Sequence, residues 1–261
     1  MKQNNNMMTF GEHLEVLRRM LFRMIAIVFA IALVVFCFKD FTFNILLAPS
    51  EYNFCTYKWI ETIVNLFNVN FHFNHFYVDL ITTDLSSQFL THITTSIYLG
   101  LLGASPYLFY ELFSYISPAL YVNERKHSTR IVLIIYLLFI SGVLMSYFIL
   151  FPIAFRFLGT YSVAERVHST ITLDSYIETF VSLTLLMGVV FQLPVVSFIL
   201  AKFGIISYEI LSKYRKHALI VIMMVSAIIT PPDIMTLLLV SVPLYLLYEC
   251  SIHIVKHVTK Q

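Results

Sequence analysis

A chain of 261 residues that is 59% hydrophobic and only 12% charged has too little polar surface to clothe a water-soluble core of that size. The formal net charge of +2 is small, and the three cysteines, Cys37, Cys55 and Cys250, are scattered and odd in number, which excludes a disulfide framework. The apolar windows run continuously instead of alternating, so a closed β-barrel is excluded as well, and helices remain the way to satisfy the backbone in lipid.

In chain order, Arg18, Arg19 and Arg23 precede a first apolar run, read as a span over about 20–38. That run ends in Phe36-Cys37-Phe38-Lys39-Asp40, which offers no small-residue cleavage site, so the span is expected to be retained. Ala26 and Ala30 recur in it at four-residue spacing. The connection over 39–84 is long, aromatic and Asn-rich; Phe41–Ala48 and Trp59–Leu66 within it read as short helices at the membrane interface. His72 and His75 have a metal-like spacing, but without a second ligand pair they fit an interfacial aromatic loop, and no metal site is expected.

The second span is placed at 88–110, with Ser96, Gly100 and Ala104 spaced to let helices approach closely. The third is placed at 130–152 and the fourth at 176–200, the latter opening on Ser175-Tyr176-Ile177-Glu178 with capping-box spacing. Pro106, Pro194 and Pro243 each remove a backbone donor, so kinks that shape a concave bundle are expected. The last two spans, 215–231 and 234–252, flank the tight turn Thr230-Pro231-Pro232-Asp233. Their uncharged windows, His217–Pro232 and Ile234–Tyr248, cover only about 22–24 Å each, short of a normal ~30 Å core. Such a pair is expected to thin the bilayer locally and to hold Asp233 near the lipid boundary. The chain thus reads as an all-α polytopic membrane protein: one domain over 1–261, with six transmembrane helices.

Six spans put Lys39, Lys58, Arg156 and Arg166 on one side and the other thirteen of the 17 Lys and Arg residues on the opposite side. By the positive-inside rule both termini are expected in the cytoplasm.

Several motifs in order along the chain resemble one family. They are Phe10-Gly11-Glu12-His13-Leu14-Glu15-Val16-Leu17-Arg18-Arg19, then Ala48-Pro49, and Pro106 with Tyr110-Glu111-Leu112-Phe113-Ser114-Tyr115-Ile116-Ser117-Pro118-Ala119-Leu120-Tyr121. Glu124-Arg125-Lys126, Phe191-Gln192-Leu193-Pro194-Val195, Thr230-Pro231-Pro232-Asp233 and Tyr248-Glu249 complete the set. The chain resembles the TatC family, the polytopic subunit of the twin-arginine protein translocase. The resemblance implies a bacterial inner-membrane receptor for twin-arginine signal peptides of folded cargo. It also implies TatA- and TatB-type single-span partners, other copies of the same chain, and transport driven by the proton-motive force. An enzyme, a cofactor or a nucleic-acid partner is not expected, and no GxxxxGK[ST] phosphate loop is present in the sequence.

Two adjacent arginines call for carboxylates that accept charge-assisted hydrogen bonds. Glu12, Glu15 and Glu124 are the candidates, flanked by Arg18 and Arg125, with Glu111 as a fourth. The competing reading is that each offsets its own neighbours, Glu15 with Arg18 or Arg19 and Glu124 with Arg125 and Lys126. Pro49, Pro118, Gln192, Asp233 and Glu249 complete the expected structural or intramembrane functional set. The sequence departs from the family pattern at Val16, where a Glu is usual, at Gln192, which keeps hydrogen-bonding capacity but cannot ionise, and at Leu237, where a Gln is frequent. A polytopic solute transporter is the alternative, but the internal repeats and buried midplane charges it predicts are not found.

Overall fold

The computed structural model describes residues 10–66, 79–116, 128–161, 170–230 and 233–258. The chain groups into two compact units, Met1–Lys39 with His92–Tyr136, and Asp40–Thr91 with Leu137–Gln261.

The first unit is built on α1 (Phe10–Cys37) and most of α4 (Ser87–Ile116). They meet where the small-residue stripe lies: a Cβ on Gly100 would stand 2.8 Å from Ala32 Cβ and 2.9 Å from the Ala32 nitrogen and the Val28 oxygen. Ser96 and Ala104, one turn to either side, are buried. On α1 the contact face is Val28 and Ala32; Ala26 and Ala30 are exposed. Phe36 stacks on His92 with ring centroids 4.1 Å apart. Pro106 interrupts α4 without breaking it. Lacking an N–H, it leaves the Leu102 carbonyl unserved, and the Ser105 hydroxyl donates to that oxygen at 2.6 Å.

In the second unit, α2 (Lys39–Leu47), a 3₁₀ turn (Ala48–Ser50) and α3 (Cys55–Leu66) form the connection in which short helices were expected. The predicted third span is α5 (Ser128–Met145), whose residues 128–136 belong to the first unit, followed by a π-helical turn (Ser146–Leu150) and α6 (Phe151–Thr160). Pro152 explains the irregularity. It cannot donate to the Phe148 carbonyl, which instead accepts the Thr56 hydroxyl from α3. Tyr57, the next residue, shares its hydroxyl proton between the carbonyls of Pro49 (2.9 Å) and Pro152 (3.0 Å). Arg156 lies over its ring at 5.2 Å. Burial pushes the Tyr57 phenol well above the usual tyrosine range, so it remains a donor.

The fourth span, expected to be continuous over 176–200, is broken into α7 (Leu173–Val190) and α8 (Leu193–Lys202). Pro194 is the cause, because its ring would clash with the carbonyl four residues back, that of Val190, where α7 ends. The cap of α7 is Thr172, whose side chain accepts from the Ser175 N–H at 3.3 Å, so the helix begins earlier than Ser175. Leading into it, β2 (Ile171–Thr172) pairs in parallel with β1 (Leu80–Ile81). Phe151, Phe155, Tyr176 and Phe180 pack edge to face at 4.9–5.0 Å, and the Tyr176 hydroxyl donates to the Leu46 carbonyl at 2.8 Å.

The last helices are α9 (Tyr208–Lys213), α10 (Arg215–Ile229) and α11 (Ile234–Val258). At 15 residues α10 covers about 22 Å, as the uncharged window suggested, but α11 has 25 residues and covers about 37 Å. Only one member of the pair is short, because α11 runs past the Glu249 that bounds its uncharged window, and past the expected end at 252, to Val258. Asp233 is its N-terminal cap: Oδ1 accepts the Thr236 N–H at 2.7 Å and Oδ2 accepts the Thr236 hydroxyl.

Four helical stretches among the described residues are long and apolar enough to cross a membrane: Leu14–Cys37, Ile131–Thr160, Leu173–Lys202 and Ile234–His257. At 30 residues α4 has the length, but Thr91, His92, Thr94, Thr95 and Ser96 dilute its apolar content.

Candidate functional site

Glu111 lies near the C-terminal end of α4 and is buried. A carboxylate in such surroundings persists as an anion only if hydrogen bonds and a counter-charge replace its water. Both are supplied within the same unit. Arg23 of α1 donates through Nη2 to Oε2 at 3.0 Å, and the Tyr107 hydroxyl, one helical turn earlier, donates to Oε1. The two partners are enclosed unequally, since the Arg23 side chain is 59% exposed and that of Glu111 11%.

The other candidates are distributed differently. Glu15 forms an i,i+4 ion pair with Arg19 on the exposed face of α1, the local pairing that was the competing reading. Arg18 is also exposed and lies over the Phe22 ring at 5.7 Å. Glu12 belongs to the first turn of α1. Glu124, Arg125 and Pro118, together with His72 and His75, lie outside the described residues. Pro49 is buried, and its carbonyl serves the Tyr57 hydroxyl. Gln192 sits in the break between α7 and α8, with Nε2 3.5 Å from the Gly188 carbonyl.

Glu249 repeats the arrangement of Glu111 in the second unit. Arg215 of α10 places Nη2 3.1 Å from Oε2 and donates to it, with Nε 3.0 Å from Oε1 though poorly aligned for a hydrogen bond. The Tyr245 hydroxyl, four residues before, donates to Oε1 at 3.1 Å. Tyr248 ties the same turn to α9 through the Leu211 carbonyl at 2.8 Å. Here both ionic partners are partly enclosed, with side-chain exposures of 41% for Arg215 and 26% for Glu249.

Arg23, Tyr107, Arg215, Tyr245 and Tyr57 were not singled out from the sequence as site residues. A signal for two of them was present: Tyr107-Leu108-Phe109-Tyr110-Glu111 and Tyr245-Leu246-Leu247-Tyr248-Glu249 are the same pentapeptide apart from its third position. In a helix this spacing sets the first tyrosine over the glutamate.

Long apolar helices, prolines whose freed carbonyls are served by side chains, and carboxylates paired with arginines of other helices define a polytopic helical membrane protein. The family model described as Sec-independent protein translocase protein (TatC) matches residues 12–243, and the chain belongs to that family. A TatC protein of Blattabacterium sp. subsp. Periplaneta americana (strain BPLAN) is 33% identical over 265 residues, covering 100% of both chains. One of Carboxydothermus hydrogenoformans is 33% identical over 252 residues, covering 96% of this chain and 94% of its own. One of Escherichia coli (strain K12) is 34% identical over 173 residues, covering 66% and 67%. A crystal structure described as that of the twin arginine translocase receptor TatC superposes with a TM-score of 0.75 at 31% identity, covering 95% of this chain and 100% of that one. The chain is therefore a multi-pass membrane subunit of a Sec-independent protein translocase, a transport component and not an enzyme. The solute-transporter alternative gives way to it.

Proposed function

We propose that this chain is the receptor of its translocase, capturing signal peptides with adjacent arginines at the cytoplasmic face of a bacterial inner membrane. In this reading residues 1–261 form one membrane domain that crosses six times with both termini inside. Glu12, Glu15, Glu111 and Glu124 accept the guanidinium groups, with Arg18 and Arg125 repelling stray cations. The chain then assembles with TatA- and TatB-type single-span proteins and further copies of itself, and the proton-motive force drives export of folded cargo.

The observation that carries the reading is Glu111, a buried carboxylate with one oxygen on a guanidinium and the other on a tyrosine hydroxyl. Supporting it are the asymmetric placement of Lys and Arg and the likeness to a structure described as a twin arginine translocase receptor. The test is site-specific photocrosslinking of a twin-arginine precursor to probes beside Glu15, Glu111 and Glu124 in inverted membrane vesicles. Contacts that disappear with a twin-lysine precursor are expected. Equal contacts with both precursors, or none, would refute the receptor reading.

A further inference from the structure

The two glutamates of the repeated pentapeptide are wired alike but closed differently, and the difference points to one of them. At Glu249 the guanidinium of Arg215 faces both carboxylate oxygens and is itself partly covered. Such a pair, partly covered on both sides, staples α10 to α11. At Glu111 the guanidinium of Arg23 makes a single hydrogen bond, to one oxygen, and more than half of its side-chain surface is uncovered by the protein, while the carboxylate beneath it is nearly enclosed. Arg23, near the start of its span, can therefore swing away and snorkel to the headgroup region at small cost, whereas the enclosed Glu111 needs a cation beside it. The second oxygen of Glu111 is held by Tyr107 from its own helix, which fixes the carboxylate whether or not Arg23 is present.

We propose that Arg23 is an internal surrogate for the peptide's arginine, occupying Glu111 in the resting chain and displaced from it when an arginine-bearing peptide binds. The proposal rests on the receptor reading above and adds a competitor to it. Its physical effect is a tax on affinity. Only chains in which Arg23 has left Glu111 are competent, and the apparent dissociation constant is the intrinsic one divided by that competent fraction. A peptide offering one ammonium cannot reproduce the planar guanidinium that the site is shaped to hold, so the choice of arginine over lysine is made by the carboxylate, while the tax falls on both alike. Removing the competitor relaxes the tax for every cation, and binding tightens.

The experiment uses the full chain in lipid nanodiscs and a fluorescent synthetic peptide with two adjacent arginines before an apolar segment, read by anisotropy. If Arg23 occupies the carboxylate about nine-tenths of the time, Arg23→Ala tightens the peptide about tenfold. The gain disappears in Arg23→Ala/Glu111→Gln. Methylguanidinium raises the melting temperature of Arg23→Ala but not of the double variant. Arg23→Glu/Glu111→Arg keeps an ion pair, so it remains folded even where Arg23→Ala does not, and it offers no carboxylate at position 111; its peptide binding drops about tenfold or more. Unchanged or weaker binding by folded Arg23→Ala, or undiminished binding by the swap, overturns the proposal. Failure of the unaltered chain to prefer the twin-arginine peptide over a twin-lysine one refutes the receptor reading instead, so the two failures are distinguishable.

Discussion

The contact between α1 and α4 can be tested by making the same substitution twice, three residues apart on one helix. Alanine at Gly100 must place its Cβ 2.9 Å from the Val28 oxygen and the Ala32 nitrogen, both backbone atoms that move only if the helix moves. Alanine at Gly103 meets one atom, the Ile31 Cγ2 methyl at 3.1 Å, which a small side-chain rotation can shift. The helix-propensity gain of up to ~1 kcal/mol from Gly to Ala is common to both and cancels in the comparison. What remains is the cost of parting α1 from α4. Relieving a backbone contact of this kind needs a shift of about 0.5 Å, which forfeits roughly a quarter of the dispersion energy of each atom pair across the interface. Summed over the contact this is on the order of 1–2 kcal/mol, in the range measured for overpacked cores.

Gly103→Ala is therefore expected to be near neutral, and Gly100→Ala to be less stable than it by about 1–2 kcal/mol. Detergent-solubilised protein, heated and assayed for the monodisperse fraction by fluorescence-detected size exclusion, gives the comparison directly. Equal melting temperatures for the two variants, or a larger loss for Gly103→Ala, would show that α1 and α4 do not meet at Gly100.

Three more outcomes follow from named contacts. Tyr57→Phe removes a buried hydroxyl serving the Pro49 and Pro152 carbonyls and should cost about 1–3 kcal/mol. Because folding raises the pKa of this phenol, its stabilisation is whole below the ordinary tyrosine value of 10.0 and is lost as pH rises beyond it, so melting temperatures should decline more gently above pH 10.0 in Tyr57→Phe than in the unaltered chain. Asp233→Ala deletes the cap of α11 at a cost of about 1 kcal/mol, whereas Asp233→Asn keeps an acceptor and should retain most of it; equal loss in both would make the charge, not the cap, responsible. Arg215→Ala leaves Glu249 without its counter-charge and should destabilise by about 1–2 kcal/mol, below the ~3–5 of a fully buried pair because both partners retain some solvent. Arg215→Met/Glu249→Leu should recover most of that loss, and failure to recover would mean the pair does more than neutralise itself.

The apolar runs and the stripe of Ser96, Gly100 and Ala104 were legible because lipid burial and close helix approach leave a mark in every turn of one helix. Where the spans break was less legible. A proline states that a carbonyl four residues earlier loses its partner but not what will serve it. At Pro106 the answer is the adjacent Ser105, at Pro152 it is Thr56 from a distant connection, and at Pro194 the helix stops. The reach of α11 beyond residue 252 was not legible in its uncharged window for a related reason. A window bounded by charges ends before Glu249, yet that charge is cancelled by a residue 34 positions away, and the helix continues.

The same limit applies to the candidate site. Arg23 is one of three arginines at the start of α1, all three exposed, and nothing local distinguishes it from Arg18 and Arg19. What distinguishes it is Glu111, 88 residues on, with Tyr107 one turn below to hold the second oxygen. The tyrosine–glutamate spacing recurs at Tyr245 and Glu249, again with an arginine from another helix as the counter-charge. Arg215 is held against both oxygens of its carboxylate and Arg23 against one. Two sites with one chemistry and unequal grip can divide the work, one fastening helices together and the other remaining open to exchange.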